Sequence, residues 1–206
     1  MTKVPGVILA GGKASRMGGG DKGLLSLAGQ SLLDYVIARL APQCSELALN
    51  ANGNPARFQR FRRPVLADGI ADQPGPLAGV LAAMDWAAAL GADRVVTVAA
   101  DTPFFPRDLV ARLAEPGGLT LAASQAPGET PVLQPIFGMW PVALRDDLAN
   151  ALERGDRKVR LWADAHGGTQ VIFPHGGADP FFNINTPQDL RQARALARGD
   201  QCFRMK

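Results

Sequence analysis

The sequence predicts an α/β fold in which helices cover both faces of a doubly wound, mainly parallel sheet. Short, β-rich apolar runs alternate with longer helical patterns from residue 4 to about residue 123, and this alternation is typical of a parallel sheet. The runs 7–10 and 94–100 are the most apolar, as expected of strands that are buried on both faces. The length of 206 residues and the absence of a convincing linker predict a single domain over 1–206.

Each predicted strand is a short run of mostly aliphatic residues, bounded by residues that favour turns. In chain order the strands are 7–10, 46–50, 64–67, 94–100 and 119–123, then an extended piece over 132–139 and late strands at 169–173 and 182–184.

The predicted helices combine apolar residues at helical spacing with recognisable start and stop signals. Ser31 caps the first helix, whereas Thr186 caps the last one, with Pro187 at the first helical position and Asp189 three residues after the cap. Gly199 ends that last helix. In chain order the helices cover 32–40, 77–90, 106–113, 142–154, 158–166 and 187–198.

Composition and charge exclude several classes of protein. The formal net charge is only +3 and the basic residues are scattered, so no nucleic-acid partner is expected. The densest basic group, 57–63, contains four arginines and two phenylalanines; it is interpreted as a solvated face with the rings turned inward, the alternative being an RNA-binding patch. No apolar stretch approaches the ~20 residues that span a bilayer. The two cysteines, Cys44 and Cys202, indicate a reduced, cytoplasmic chain without a disulfide framework or thiolate metal site.

A glycine-rich loop follows the first strand. Its sequence over residues 9–23 is LAGGKASRMGGGDKG, in which glycines allow backbone N–H groups to approach a phosphate while lysine and arginine supply countercharge. The loop lacks the Gly-Lys-Ser/Thr of a Walker A motif. Gly18, Gly20 and Gly23 satisfy G-x-G-x-x-G but lie far beyond the strand end, and the second strand ends in Asn50 instead of an acid. The sequence therefore does not predict a dinucleotide-dependent dehydrogenase. It does predict that the loop binds a phosphorylated ligand.

The carboxyl ends of the first four strands are the expected ligand edge of such a sheet. Asp101 follows the most apolar strand. Its carboxylate could hold Mg²⁺ together with phosphate oxygens and waters, which is a usual way to bind this ion. The alternative is that Asp101 forms a turn before Thr102. Lys22 and Arg16 are the candidate phosphate contacts. Asp68 is expected to face the same cleft, although Asp-Gly also favours a turn. His166 and His175 each adjoin a Gly-Gly pair, so covalent catalysis is not expected.

Five segments, in order, resemble one known family. They are the loop LAGGKASRMGGGDKG, the strand end NAN at 50–52, DQPGPLAG at 72–79, ADTP at 100–103 and NINTP at 183–187. Together they are similar to the MobA family of nucleotidyltransferases, the molybdenum cofactor guanylyltransferases, over residues 7 to about 190. The resemblance implies a Rossmann-like nucleotidyltransferase fold that transfers GMP from GTP to molybdopterin, with Mg²⁺, and releases pyrophosphate. LAGG and GPLAG resemble the GTP-using members of the wider group.

The resemblance also implies site residues and partners. A nucleotide-binding part over about 1–123 would precede an acceptor-binding part over about 124–198. Catalytic roles fall on Arg16, Lys22 and Asp101, with Asp101 the metal ligand. The implied partners are GTP and molybdopterin, with other cofactor-biosynthesis proteins and acceptor molybdoenzymes as further candidates. The residues implied in binding are Leu9, Ala10, Gly11, Gly12, Lys22, Asn50, Asp68, Gly75, Gly79, Asp101, Asn183 and Asn185.

Five positions depart from the family pattern or stay open. Asn183 and Asn185 are amides where relatives often have a metal-binding acid, so contact with substrate is the expectation. Gln134 stands where relatives often have His. Arg157 and Lys158 either receive a pterin phosphate or form an ordinary charged first turn. The alternative functions are a molybdopterin cytidylyltransferase, a sugar-phosphate nucleotidyltransferase and a GTP-binding module without turnover.

Overall fold

A seven-stranded sheet forms the centre of the protein. The structure, a computed structural model, describes residues 3–12, 19–69 and 75–199. The strand order across the sheet is β5-β4-β1-β6-β8-β7-β9, and β2 and β3 form a separate small hairpin. The strands are β1 (Gly6–Leu9), β2 (Ser26–Leu27), β3 (Gln30–Ser31), β4 (Leu47–Asn50), β5 (Val65–Leu66), β6 (Arg94–Ala99), β7 (Thr120–Gln125), β8 (Val132–Pro141) and β9 (Thr169–Pro174).

The sheet is mainly parallel, as predicted. The strand pairs β5–β4, β4–β1, β1–β6 and β7–β9 are parallel, while β8 runs antiparallel between β6 and β7. The register of β7 against β8 shifts after Leu121. At this irregularity Gly138 has no room for a side chain, since a Cβ there would lie 2.7 Å from Leu121 Cδ2 and 2.8 Å from the Trp140 ring. The antiparallel strand places its start, near Val132, at the same edge as the carboxyl ends of β1 and β6.

The helices agree with the sequence pattern in order and, for most of them, in extent. Ser31 and Asp34 form a reciprocal capping box at the start of α1, and Thr186 with Asp189 does the same for α6. The helices are α1 (Leu32–Leu40), α2 (Pro76–Ala89), α3 (Leu109–Ala114), α4 (Arg145–Glu153), α5 (Val159–Ala165) and α6 (Pro187–Gly199). No helix in the described ranges is long and apolar enough to cross a membrane.

Two predicted boundaries and one predicted strand are wrong. The third helix begins at Leu109, not Pro106, because 106–108 form a turn. The stretch 142–144 is a 3-10 turn that precedes α4. The predicted strand at 182–184 does not join the sheet. Instead, the Ile184 N–H donates to the backbone oxygen of Asp101, and the Ile184 side chain is buried in a cluster beside Leu32 of α1. This segment is therefore anchored at the end of β6 without forming a ladder.

The core lies on both faces of the sheet. Val7 and Ile8 are adjacent in β1 and fully buried, yet they belong to two different apolar clusters. Ile8 packs in the cluster of α1 and α3, whereas Val7 packs in the cluster of α2, α4 and α5. Burial on both faces accounts for the continuous apolar run in the sequence.

The arginine-rich stretch differs from its prediction. It forms a 3-10 helix over Pro55–Phe61 in which Phe58 is fully buried, so the inward ring was predicted correctly. Arg57 and Arg60 are not simply solvated, however, since they form ion pairs with Asp21 and Asp34 respectively. These contacts tie the stretch to the glycine-rich loop and to the start of α1.

Candidate functional site

A cavity of about 380 Å³ opens at the carboxyl ends of β1, β4, β5 and β6. Because these strands are parallel, the residues that follow them meet at one edge of the sheet. The start of α2 forms one side and Ile136 of β8 contributes another. The cavity is lined by Leu9, Ala10, Gly11, Gly12, Lys22, Gly23, Asn50, Asn52, Asp68, Gly75, Pro76, Gly79, Ala99, Ala100, Asp101 and Ile136.

Lys22 connects three distant parts of the chain at this edge. Its ammonium group donates to Asp101 Oδ2 at 3.1 Å and also contacts Asn185 Oδ1. The Lys22 and Asp101 side chains are 20% and 16% exposed, so the pair is shielded from water and yet open to the cavity. A positive charge flanked by two oxygens next to a cavity can contact an anionic ligand that enters it.

Backbone contacts fix the position of Lys22. Its N–H donates to the Gly12 oxygen at 3.1 Å, and Lys22–Leu24 form a 3-10 turn. Gly23 lies so near β6 that a Cβ there would be 3.3 Å from the Ala100 Cβ. The turn therefore holds Lys22 directly over the end of β6, where Asp101 follows.

Asn50, Asn52 and Asp68 form a second polar group on the opposite side of the cavity. Asn50 Nδ2 donates to Asp68 Oδ1 at 2.8 Å, and Asn52 Nδ2 donates to Asp68 Oδ2 at 2.7 Å. The Asp68 N–H in turn donates to Asn52 Oδ1 at 2.8 Å. Each carboxylate oxygen accepts one amide hydrogen and keeps a lone pair for a further donor. Asp68 is thus held in place as an acceptor for ligand N–H or O–H groups.

Two glycines at the start of α2 are required by their surroundings. Gly75 precedes the helix with φ +153°, in the region that favours glycine. Gly79 lies against Asn50, because a Cβ there would be 2.5 Å from Asn50 Oδ1 and 3.2 Å from Leu9 Cδ2. Gly79 therefore makes room for the side chain that orients Asp68.

Not every residue singled out from the sequence reaches this cavity. Asn183 is exposed and is not among the lining residues. Arg16 lies outside the described residues. Arg157 and Lys158 line a different cavity, of about 560 Å³, between α4 and α5. Gln134 lies in β8, two positions before Ile136, and donates to Ser124 Oγ of β7 at 3.2 Å.

Several residues at the site had no sequence signal of their own. Asn52 is exposed and lies two positions beyond β4, so only its place in the NAN motif pointed to it. Ile136 reaches the cavity because β8 pairs with β6, and that pairing is a property of the folded sheet. Asn185 was implied by the NINTP motif, but its contact with Lys22, across 163 positions, exists only in the folded chain.

The donor set at Asp101 fits one mode of metal binding. No group of three or more His, Cys, Asp or Glu side chains that could hold a metal ion occurs in the described ranges. Within these ranges, His, Cys, Asp and Glu side chains alone therefore form no metal site at Asp101. One carboxylate at the mouth of a cavity fits a Mg²⁺ ion that takes its other ligands from phosphate oxygens and water.

Residues 6–170 match the family model described as the MobA-like NTP transferase domain. The chain belongs to this family. It is 51% identical over 204 residues to a molybdenum cofactor guanylyltransferase of Bradyrhizobium sp. (strain ORS 278), covering 95% of this chain and 94% of that protein. A protein of the same name from Nitrobacter hamburgensis is 47% identical over 203 residues, covering 95% of each chain.

Solved structures of nucleotidyltransferases share the fold of this MobA-like chain. Molybdopterin-guanine dinucleotide biosynthesis protein A from Archaeoglobus fulgidus is 22% identical with a TM-score of 0.70, covering 96% of this chain and all of that one. 2-C-methyl-D-erythritol 4-phosphate cytidylyltransferase from Thermus thermophilus is 23% identical with a TM-score of 0.69, at the same coverage. The central sheet is thus a Rossmann-like nucleotidyltransferase scaffold.

Proposed function

We propose that the protein transfers GMP from GTP to the terminal phosphate of molybdopterin and releases pyrophosphate. The observation that carries the proposal is the cavity at the sheet edge, which has a fixed acceptor, Asp68, on one side and a cation, Lys22, on the other. This polarity matches a guanosine triphosphate with its base toward Asp68 and its phosphates toward Lys22. The names of the relatives at 51% and 47% identity supply the acceptor.

On the base side, the Asp68 carboxylate accepts hydrogen bonds from guanine N–H groups or from ribose hydroxyls. Asn50 and Asn52 hold this carboxylate in place, which lowers the cost of ordering it when the ligand binds. Gly75 and Gly79 let the base or ribose approach the start of α2, while Leu9, Ala10, Gly11 and Gly12 form the floor at the end of β1.

On the phosphate side, Lys22 and Arg16 neutralise the triphosphate and stabilise the charge that develops during transfer. Phosphoryl and nucleotidyl transfer depend mostly on positioning and charge stabilisation. The attacking phosphate oxygen of the acceptor is already ionised at neutral pH, so no general base is required. The bond from the α-phosphorus to the bridging oxygen breaks as the acceptor oxygen attacks, and pyrophosphate leaves.

Asp101 is the proposed Mg²⁺ ligand. When bound, Mg²⁺ screens the negative charge of the triphosphate and of the leaving pyrophosphate. The Asp101 carboxylate faces the cavity. Without ligand, the Lys22 ammonium group donates a hydrogen bond to this carboxylate, and phosphate oxygens of the bound nucleotide would compete for the same ammonium group. Asn185 and the exposed Asn183 are proposed to contact substrate, in an acceptor-binding part that extends over about 124–198 of a single domain.

We also propose cofactor-biosynthesis proteins and acceptor molybdoenzymes as protein partners, because these would supply molybdopterin and receive its guanine dinucleotide product. The reaction is proposed to take place in the cytoplasm.

Calorimetric binding of GTP, CTP, ATP and UTP in the presence of Mg²⁺ tests the donor site, with wild type and Asp101→Asn compared. The proposal predicts selective binding of GTP that weakens in the variant. Selective binding of CTP would instead favour a molybdopterin cytidylyltransferase. Tight GTP binding without pyrophosphate release on addition of molybdopterin would favour a binding module, and release driven by a sugar phosphate would favour a sugar-phosphate nucleotidyltransferase.

A further inference from the structure

Arg57 lies outside the cavity but joins its two polar sides. Arg57 Nε donates to Asp21 Oδ2 at 2.6 Å, and Nη2 donates to the Asn52 oxygen at 2.6 Å. Nη1 donates to the Asn54 oxygen. One guanidinium group therefore connects the end of the glycine-rich loop to the segment that follows β4.

Two of the three partners of Arg57, Asp21 and Asn52, are each one step from a proposed ligand contact. Asp21 directly precedes Lys22, whose ammonium group faces Asp101. Asn52 donates through its side chain to Asp68. A short chain of contacts that runs through Arg57 therefore connects the turn at Lys22 with Asp68.

Several contacts hold the Arg57 guanidinium in one position. Its carbon lies 4.6 Å from the centre of the Phe58 ring, and Phe58 is fully buried. The carbonyls that it binds are presented by a turn in which Gly53 has φ +84° and faces Arg57 Nη1. The side chains of Arg57 and Asp21 are 27% and 18% exposed, so water competes with this ion pair less than with one at the open surface.

We propose that Arg57 is a positioning residue that fixes the phosphate-contacting turn at Lys22 relative to the base-contacting group at Asp68. The inference rests on the proposed binding of GTP across this cavity. A planar guanidinium is suited to this role because it donates in several fixed directions at once, which a lysine ammonium on a flexible stem cannot reproduce. Arg57 itself does not line the cavity.

Arg60 supplies a matched control. It lies in the same 3-10 helix, its guanidinium lies 4.2 Å from the Phe61 ring centre, and it pairs with Asp34 at 2.8 Å. That pair stabilises the start of α1, and neither Arg60 nor Asp34 is among the lining residues of the cavity. A general loss of stability caused by removing an arginine from this helix would therefore affect both variants.

The test compares wild type, Arg57→Ala, Asp21→Asn and Arg60→Ala in two measurements. Hydrogen exchange of the ligand-free protein reports on the backbone amides of 20–25. Calorimetry gives the Kd for Mg·GTP. For Arg57→Ala and for Asp21→Asn we expect faster exchange over 20–25 and a Kd raised by about five- to tenfold, the scale of one or two lost charge-assisted hydrogen bonds. A double variant, Arg57→Ala with Asp21→Asn, is expected to be no worse than Arg57→Ala alone, because Arg57→Ala already removes the contact that Asp21→Asn removes.

Arg60→Ala is expected to leave both quantities at their wild-type values. Equal GTP affinity in Arg57→Ala, Arg60→Ala and wild type would overturn the positioning role, even if exchange over 20–25 rose. Equal exchange in wild type and Arg57→Ala would overturn it as well. If wild type bound no GTP, the proposed function would fail and the positioning role with it, a result distinct from wild-type binding that Arg57→Ala leaves unchanged.

Discussion

The Lys22 ammonium lies 3.1 Å from Asp101 Oδ2 in a contact that joins the glycine-rich loop to the end of β6. Asn185 Oδ1 contacts the same ammonium group. The site therefore has its candidate metal-binding carboxylate already paired with its candidate phosphate-binding cation. In the proposed complex, a triphosphate with Mg²⁺ would supply a partner for each of them, so that binding would separate the pair without leaving a charge uncompensated.

The first prediction concerns Lys22. Replacement by alanine removes the cation that faces the cavity, and turnover of GTP with molybdopterin is expected to fall by about 10²–10³-fold, as when an enzyme loses one oxyanion-stabilising donor. Lys3→Ala is the control, because Lys3 is exposed and does not line the cavity. Steady-state pyrophosphate release measures both variants, and equal rates in the two would contradict the role given to Lys22.

The second prediction concerns Gly79. In Gly79→Ala the new methyl group meets Asn50 Oδ1 at 2.5 Å, so the Asn50 amide must move away from Asp68. We expect the Kd for GTP to rise by about tenfold, since misplacing one positioning group by an ångström has effects of that order or more. Alanine favours the helix by about 1 kcal/mol relative to glycine, so the melting temperature is expected to fall little.

Gly176→Ala, in the loop after β9, serves as the control for the added methyl group. Gly176 has open space where a Cβ would be added, and its φ is not in the left-handed region. The account expects unchanged GTP affinity in Gly176→Ala. Tight GTP binding by Gly79→Ala would show that Asn50 does not orient the base-contacting carboxylate.

The third prediction concerns Asp189, at the start of α6. Burial raises the pKa of this carboxyl, but hydrogen bonds from the backbone of Asn185 and Thr186 and from the Thr186 hydroxyl, with the charge of Lys22, outweigh it. The pKa therefore lies below its ordinary value of 3.8. A lowered pKa in the folded state stabilises the protein above the ordinary value, and this stabilisation disappears as the pH falls through the folded-state pKa.

Asp189→Asn is accordingly expected to lower the free energy of unfolding by about 1 kcal/mol at neutral pH, the usual scale of a helix cap. The difference from wild type should shrink below about pH 4, where the carboxylate becomes protonated. Urea unfolding at several pH values measures it, with the exposed Asp146 replaced by asparagine as the control. If the difference in free energy of unfolding between wild type and Asp189→Asn did not change with pH, the Asp189 charge would not contribute to the cap.

The fourth prediction concerns Cys44. Burial raises the pKa of its thiol to about 12, against a small opposing effect of Lys3, so the thiol stays neutral and inert near pH 7. In a Cys202→Ser variant, Ellman's reagent is expected to label no thiol in the native protein and one thiol in denaturant. Rapid labelling of the native variant would contradict the burial of Cys44.

The strand-end rule explains why much of the site could be predicted from the sequence. Asn50, Asp68 and Asp101 directly follow, or nearly follow, apolar runs that the sequence identifies as strands, and parallel strands bring their carboxyl ends together. Gly75 and Gly79 lie in the GPLAG motif, in which neighbouring glycine and proline residues are enough to predict a turn. For such residues the position along the chain determines the position at the sheet edge.

The remaining contacts depend on tertiary structure. Asn183 and Asn185 were both expected to contact substrate, but the predicted strand over 182–184 is not formed and Ile184 is instead held by a backbone hydrogen bond to Asp101. Asn185 therefore contacts Lys22 while Asn183 stays exposed. Arg57 was interpreted as solvated because a cluster of arginines has no local signal for its partners. Its hydrogen bond to Asp21 spans 36 positions and exists only in the folded chain.

The most direct test of the central proposal is pyrophosphate release by the wild-type protein from Mg·GTP, with and without molybdopterin, and with Mg·CTP in place of Mg·GTP. The proposal predicts release that requires molybdopterin, proceeds with GTP much faster than with CTP, and is lost in Asp101→Asn. Release that is equally fast with CTP, or that does not depend on molybdopterin, would contradict it.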